Sequence, residues 1–177
     1  MDVFDFLYKI IEYFDSRQIP YMLSGSMAMS LYIVPRTTRD FDFVVHLRPE
    51  DVDGFVNYFQ GEYYCSKHAV IDAIERQSMF NVIDSTTGYK ADFVIRKNNE
   101  YRITEFERRQ LVDFGDTKIY AVSVEDLLIS KLIWIQQLQS AVQMEDIKNL
   151  SSLADLEWDY INYWVKKLNL NTFNLIA

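Results

Sequence analysis

Asp40-Phe41-Asp42-Phe43-Val44-Val45-His46-Leu47 alternates acidic and aromatic side chains and then turns apolar. The stretch reads as a β-strand, in which successive side chains point to opposite faces. Phe41 and Phe43 anchor it in a core, while Asp40 and Asp42 project together from one face, roughly 7 Å apart at the backbone. Two anions held side by side raise each other's pKa unless a cation intervenes. Hard Mg²⁺ supplies such a cation, taking carboxylate oxygens and completing its shell with waters and phosphate oxygens.

Upstream, Val3, Phe6, Leu7, Ile10, Ile11 and Phe14 recur at helical spacing. Tyr21-Met22-Leu23 then reads as a strand that ends in Ser24-Gly25-Ser26, followed by a helix from Met27 to about Ile33. A Gly turn between a strand and a helix start presents free backbone N–H groups to an anion, and the Ser26 hydroxyl can donate to it as well.

Downstream, Pro49 opens a helix, and residues 63–78 read as either a short helix or irregular chain. Residues 79–84 and 91–95 flank Ser85-Thr86-Thr87-Gly88 and predict a hairpin. Its second strand carries one acid, Asp92, among apolar neighbours. If that strand pairs beside the first, three carboxylates converge and can hold two metal ions about 3.5–4 Å apart. Residues 102–122 show strand-like pieces around Gly115, and the pattern is helical near 124–139, 143–152 and 157–168. The fold class is therefore α/β (α+β), a small mixed sheet flanked by helices. Residues 1–122 form the core, and a helical C-terminal segment, 123–177, packs on it as one unit.

The 177 residues are 49% hydrophobic and 25% charged, which suits a single globular domain. No apolar run reaches the roughly 18–20 residues that cross a bilayer. The acidic start, Met1-Asp2-Val3-Phe4-Asp5-Phe6, lacks a basic n-region, so no secretory signal is expected. Cys65 is the sole cysteine and points to a reducing, cytoplasmic setting. With only His46 and His68 beside it, a structural zinc site is disfavoured. A net charge of −8 argues against extended duplex nucleic acid. The charge is uneven: residues 36–85 hold nine acids against five bases.

Gly25-Ser26, thirteen residues, Asp40-x-Asp42 and the later Asp92 together resemble the nucleotidyltransferase superfamily of kanamycin nucleotidyltransferase and DNA polymerase beta. Arg36-Thr37-Thr38-Arg39-Asp40-Phe41-Asp42 looks like the Arg-x-Thr-x-Asp-x-Asp variant of minimal bacterial members related to abortive-infection type IV toxins. Phe106-Glu107-Arg108-Arg109, Val124 to Leu132, Asp146-Ile147 and Trp158 to Trp164 are similar to that subgroup's later landmarks, so the likeness spans about residues 18–170. One departure is Ser26, where the usual pair has a second Gly.

The resemblance implies a nucleotidyltransferase fold and transfer of a nucleoside monophosphate from a nucleoside triphosphate, ATP among the candidates, to an acceptor hydroxyl. Pyrophosphate is released. Asp40, Asp42 and Asp92 would bind two Mg²⁺ (or Mn²⁺) ions, with Asp92 also the general base. Gly25, Ser26, Arg36, Thr38, Arg39 and Lys131 would face the nucleotide phosphates. The acceptor is left open among a small molecule, a protein side chain and a tRNA end, for which Arg96, Lys97 and Arg102 offer a basic patch. The alternative is a non-catalytic nucleotide-binding or antitoxin module on the same fold.

Several residues carry two readings. Lys131 lies near the centre of an apolar helical arc, so it either snorkels out or meets buried negative charge. Arg36 and Arg39 pair either with nearby carboxylates or with phosphate. Arg108 and Arg109 are expected in surface ion pairs with Glu105 and Glu107. His46 and His68 are expected at the core edge or surface, and Cys65 as a core filler. Trp158, Tyr160, Tyr163 and Trp164 are expected to pack a helix.

Overall fold

Alternating strands and amphipathic helices assemble into one seven-stranded mixed sheet in the computed structural model, which describes residues 3–34, 38 and 40–176. The chain runs α1 (Val3–Arg17), β1 (Tyr21–Ser24), α2 (Gly25–Met29) and β2 (Asp40–Val45), then a 3₁₀ turn (Pro49–Asp51) into α3 (Val52–Tyr58). It continues through β3 (Tyr63–Cys65), α4 (Lys67–Arg76), β4 (Met79–Asp84), β5 (Lys90–Ile95) and α5 (Glu100–Glu107). β6 (Gln110–Phe114) and β7 (Thr117–Ala121) form a hairpin, and α6 (Val124–Ile135), α7 (Ala141–Ser151) and α8 (Trp158–Lys167) follow.

The strand order is β3-β4-β5-β2-β1-β7-β6, with β2/β5 and β1/β7 parallel and the remaining pairs antiparallel. Phe80, Phe93, Phe43 and Leu23 lie abreast across β4, β5, β2 and β1. Phe93 stacks on Phe43 at 5.6 Å and on Phe80 at 5.1 Å. Phe14 of α1 and Phe55 of α3 meet Phe93 edge-on at 5.8 and 5.4 Å. Such ring pairs add about 0.5–1.5 kcal/mol each beyond area burial. The next residues along form a second row, Asn81, Asp92, Asp42 and Ser24, which by strand alternation faces the other way.

Four helices start on side-chain caps: Ser66, Asn99, Ser123 and Ser140 accept from Ala69, Arg102, Asp126 and Gln143 N–H. β3 and α4 resolve the open stretch 63–78. α5 replaces the strand-like reading at the start of 102–122, because its inward face sets the charged Glu105 between Tyr101 and Phe106 and so blurs the apolar period. The predicted helix after Gly25 is cut to five residues, with turn structure at 30–32.

α5 also corrects the arginine expectations. Arg102 leaves the basic patch: its guanidinium binds Glu105 Oε2 at 2.7 Å and Ser130 Oγ at 2.6 Å. Ser130 in turn donates to the other oxygen of Glu105, whose carboxyl burial raises above the usual range. Arg108 pairs with neither Glu105 nor Glu107. It reaches Asp126 Oδ2 at 3.2 Å and Glu157 Oε1 at 2.8 Å and lies 4.0 Å over the Tyr160 ring. Asp126 is fully buried and is completed by Ser123 and Tyr160 hydroxyls, each at 2.7 Å. Arg109 sits over the Phe106 and Tyr120 rings and donates to Phe106 O. His46 and His68 are exposed, and burial pushes the Cys65 thiol up to about 11. Trp164 is buried against Tyr101 at 5.0 Å and packs as expected, with Trp158 and Tyr160 half-buried, whereas Tyr163 of the same stripe is exposed.

Phe93→Ala removes the ring on which four others converge, and it should cost about 3–5 kcal/mol in urea unfolding.

Candidate active site

Gly25 begins the site. Its φ of +63° lies in the left-handed region, and a Cβ there would fall 1.9 Å from Asp42 Oδ2. Only glycine lets the β1–α2 turn close over the β2 carboxylate. The Ser24 side chain makes no cap to α2, and α2 is too short for a developed dipole, so the anion argument rests on the glycine backbone.

Parallel pairing of β2 with β5 sets Asp42 abreast of Asp92 and Asp40 abreast of Lys90. Asp92 is only 8% exposed. Its Oδ2 accepts from Lys90 Nζ at 2.7 Å, while its Oδ1 is buried without a hydrogen-bond partner. Asp42 is half-buried, and its carboxyl is pushed up to about 6. Burial is the largest cause, followed by the negative charges of Asp92 and then Asp40; Lys131 and Lys90 oppose them. Asp40 itself is exposed.

The three aspartates therefore share one face, but among the described residues no three acidic, histidine or cysteine side chains are gathered as a ready metal cage. The Lys90 ammonium takes one oxygen of the Asp92 carboxylate.

Lys131 does not snorkel. It is 6% exposed, and its ammonium binds Asp146 Oδ2 at 2.9 Å and Gln143 Oε1 at 3.1 Å, both on α7. From that seat its charge still reaches Asp42. Asp146 and Gln143 were not singled out as site residues from sequence, although an inward lysine implied a buried anion. The Thr38 hydroxyl turns to the Asp40 backbone, at 3.3 Å from O and 3.4 Å from N. Ser26 is half-buried at the start of α2, and Arg36 and Arg39 lie outside the described residues. A groove of about 480 Å³ adjoins Asp146, lined by Met29, Ile33, Val34, Val142 and Glu145 among others.

No family model and no curated protein matches this sequence. Solved structures do. ANT(2″)-Ia in complex with adenylyl-2″-tobramycin aligns with a TM-score of 0.63 at 13% identity, over 93% of this chain and 95% of that one. The lincosamide antibiotic adenylyltransferase LnuA, lincomycin-bound, aligns at 0.54 and 16% identity, over 82% and 94%. An antigenic nucleotidyltransferase-like protein from Paracoccidioides brasiliensis aligns at 0.50 and 16%, over 89% and 84%. The chain has the nucleotidyltransferase fold.

Two variants probe the geometry. Gly25→Ala should destabilise by about 1–2 kcal/mol from left-handed backbone alone, with displacement of Asp42 in addition, as read by urea unfolding. The raised Asp42 carboxyl binds its proton more tightly folded than unfolded, so stability falls as pH rises from about 4 to about 6. Asp42→Asn should therefore stabilise the protein at pH 7.5 in EDTA by about 1–2 kcal/mol, after allowance for solvent screening. The gain should vanish by pH 4, and thermal unfolding at both pH values checks it.

Proposed function

We propose that this chain transfers a nucleoside monophosphate from a nucleoside triphosphate to the hydroxyl of an acceptor. The observation that carries the reading is Asp42 abreast of Asp92 beside the glycine turn, on a nucleotidyltransferase fold. A divalent cation suits these residues. Asp92 Oδ1 is buried without a partner, and Asp42 is held above the carboxylate range partly by its acidic neighbours; a cation relieves both strains. Asp42 and Asp92 would hold it, with Asp40 at the exposed rim. When bound, Mg²⁺ or Mn²⁺ supplies Lewis-acid polarisation of phosphoryl oxygen.

The chain's own groups do the rest. Gly25 leaves room for phosphate to approach the backbone, with the Ser26 hydroxyl beside it. Lys131, held by Asp146, offsets the charge of the triphosphate. Asp92 accepts the proton of the acceptor hydroxyl as that oxygen bonds to the α-phosphorus. The α–β bridging P–O bond breaks, and pyrophosphate leaves with its electron pair. Arg36, Arg39 and Thr38 complete the phosphate contacts in this proposal.

A small hydroxylated acceptor is the favoured class. ANT(2″)-Ia holds adenylyl-2″-tobramycin and LnuA holds lincomycin, and the open groove beside Asp146 is the candidate seat for a small acceptor. Those neighbours also make ATP the first donor to try. Kinship with abortive-infection toxins rests on the Arg36–Asp42 motif, and a toxin role would show as growth arrest on expression. A cytoplasmic setting fits the single cysteine. Among the described residues no helix is long and apolar enough to cross a membrane.

Incubation with α-labelled nucleoside triphosphates, Mg²⁺ and a cell extract should label an acceptor, and Asp42→Asn or Asp92→Asn should cut the rate by at least about 10²-fold. Wild-type rates in both variants would refute the assignment. Cation-dependent nucleotide binding without transfer to any acceptor would favour the non-catalytic module.

A further inference from the structure

Strand periodicity puts Lys90 on the same face as Asp92, two residues on, and the parallel register sets it beside Asp40. One ammonium therefore stands among three carboxylates. It holds a single oxygen, Asp92 Oδ2 at 2.7 Å, and leaves Oδ1 buried and unpartnered. The Lys90 side chain is 35% exposed and the Asp92 side chain 11%, so the lysine can swing into solvent while the carboxylate cannot. A lysine is a compact charge on a flexible four-carbon stem, suited to exchange of partners.

We propose that Lys90 is a displaceable internal counter-cation that neutralises the Asp92 carboxylate through Oδ2, in place of the divalent cation that would take its unpartnered Oδ1, until nucleotide arrives. The inference rests on the cation reading above and deepens it. Without an ion, the ammonium neutralises Asp92 and lets the acidic face fold. Ion binding at Asp92 competes with Lys90 and releases it beside the entering phosphates, whose negative charge then receives it. Nucleotide gives the freed ammonium a new partner, so cation and nucleotide bind cooperatively, and the nucleotide-free site takes up cation poorly by itself.

The test is Mn²⁺ binding, followed by loss of the free-ion electron paramagnetic resonance signal, with and without α,β-methylene-ATP. Wild type, Lys90→Gln, Lys90→Arg and Asp92→Asn are compared, with folding of each checked by circular dichroism. Removing the competitor should tighten Mn²⁺ alone by about tenfold in Lys90→Gln, the worth of one charge-assisted hydrogen bond. The nucleotide's enhancement of Mn²⁺ affinity should shrink in the same variant. Lys90→Arg keeps the charge but grips Asp92 with a two-pronged guanidinium, and it should bind Mn²⁺ more weakly than wild type.

Equal or weaker Mn²⁺ binding by Lys90→Gln overturns the exchange. So does Lys90→Arg behaving as wild type, since Lys90 would then act only as a distant charge. Loss of Mn²⁺ in Asp92→Asn alongside either result keeps the cation site and sinks the exchange alone. Absence of Mn²⁺ binding in wild type and Lys90→Gln alike sinks both.

Discussion

The stack of Phe43 on Phe93, pressed from one side by Phe14 and Phe55, is the constraint on which the candidate site depends. In a parallel pair the ladder admits no sliding by one residue without turning every side chain to the wrong face. Burying Phe43 and Phe93 under α1 and α3 therefore forces Asp42 and Asp92 abreast on the opposite face. The hydrophobic core thus sets two like charges side by side, at an electrostatic cost that a ligand or an ammonium must offset. Carboxylates on a flexible loop would separate; these are held by the sheet.

The second constraint is backbone volume. β1 pairs with β2 up to Ser24 opposite Asp42, and the chain then turns at once into α2. The turn survives beside Asp42 because Gly25 has no side chain to place there. On the remaining side, α6 and α7 bring a buried lysine with its own carboxylate, so the positive charge near Asp42 is anchored rather than free to collapse onto it. An oriented cation of this kind is useful where charge enters and leaves during a reaction.

Local rules explain much of what was legible. Period-two alternation revealed β2, β4 and β5, and apolar spacing revealed α1, α6, α7 and α8 within a few residues of their ends. α5 escaped because its buried face mixes Tyr101 and Phe106 with the charged Glu105, which Arg102 and Ser130 satisfy, so the apolar period is too short to stand out. Arg108 differs from its sequence expectation for a related reason. Its partners Asp126 and Glu157 are far along the chain, and sequence proximity to Glu105 and Glu107 carried no information about them.

The sequence by itself determined which residues could act: a glycine turn, two acids spaced by two on a strand, a third acid in an apolar strand, and a lysine in an apolar helix. Those are consequences of side-chain period and backbone sterics, which operate over a few residues. Tertiary structure alone decided who meets whom. It put Asp92 beside Asp42 through a crossover of more than forty residues, gave Lys131 to Asp146, and set Lys90 on Asp92. Such pairings follow from packing a shared core and satisfying buried charge, and both are summed over the whole chain.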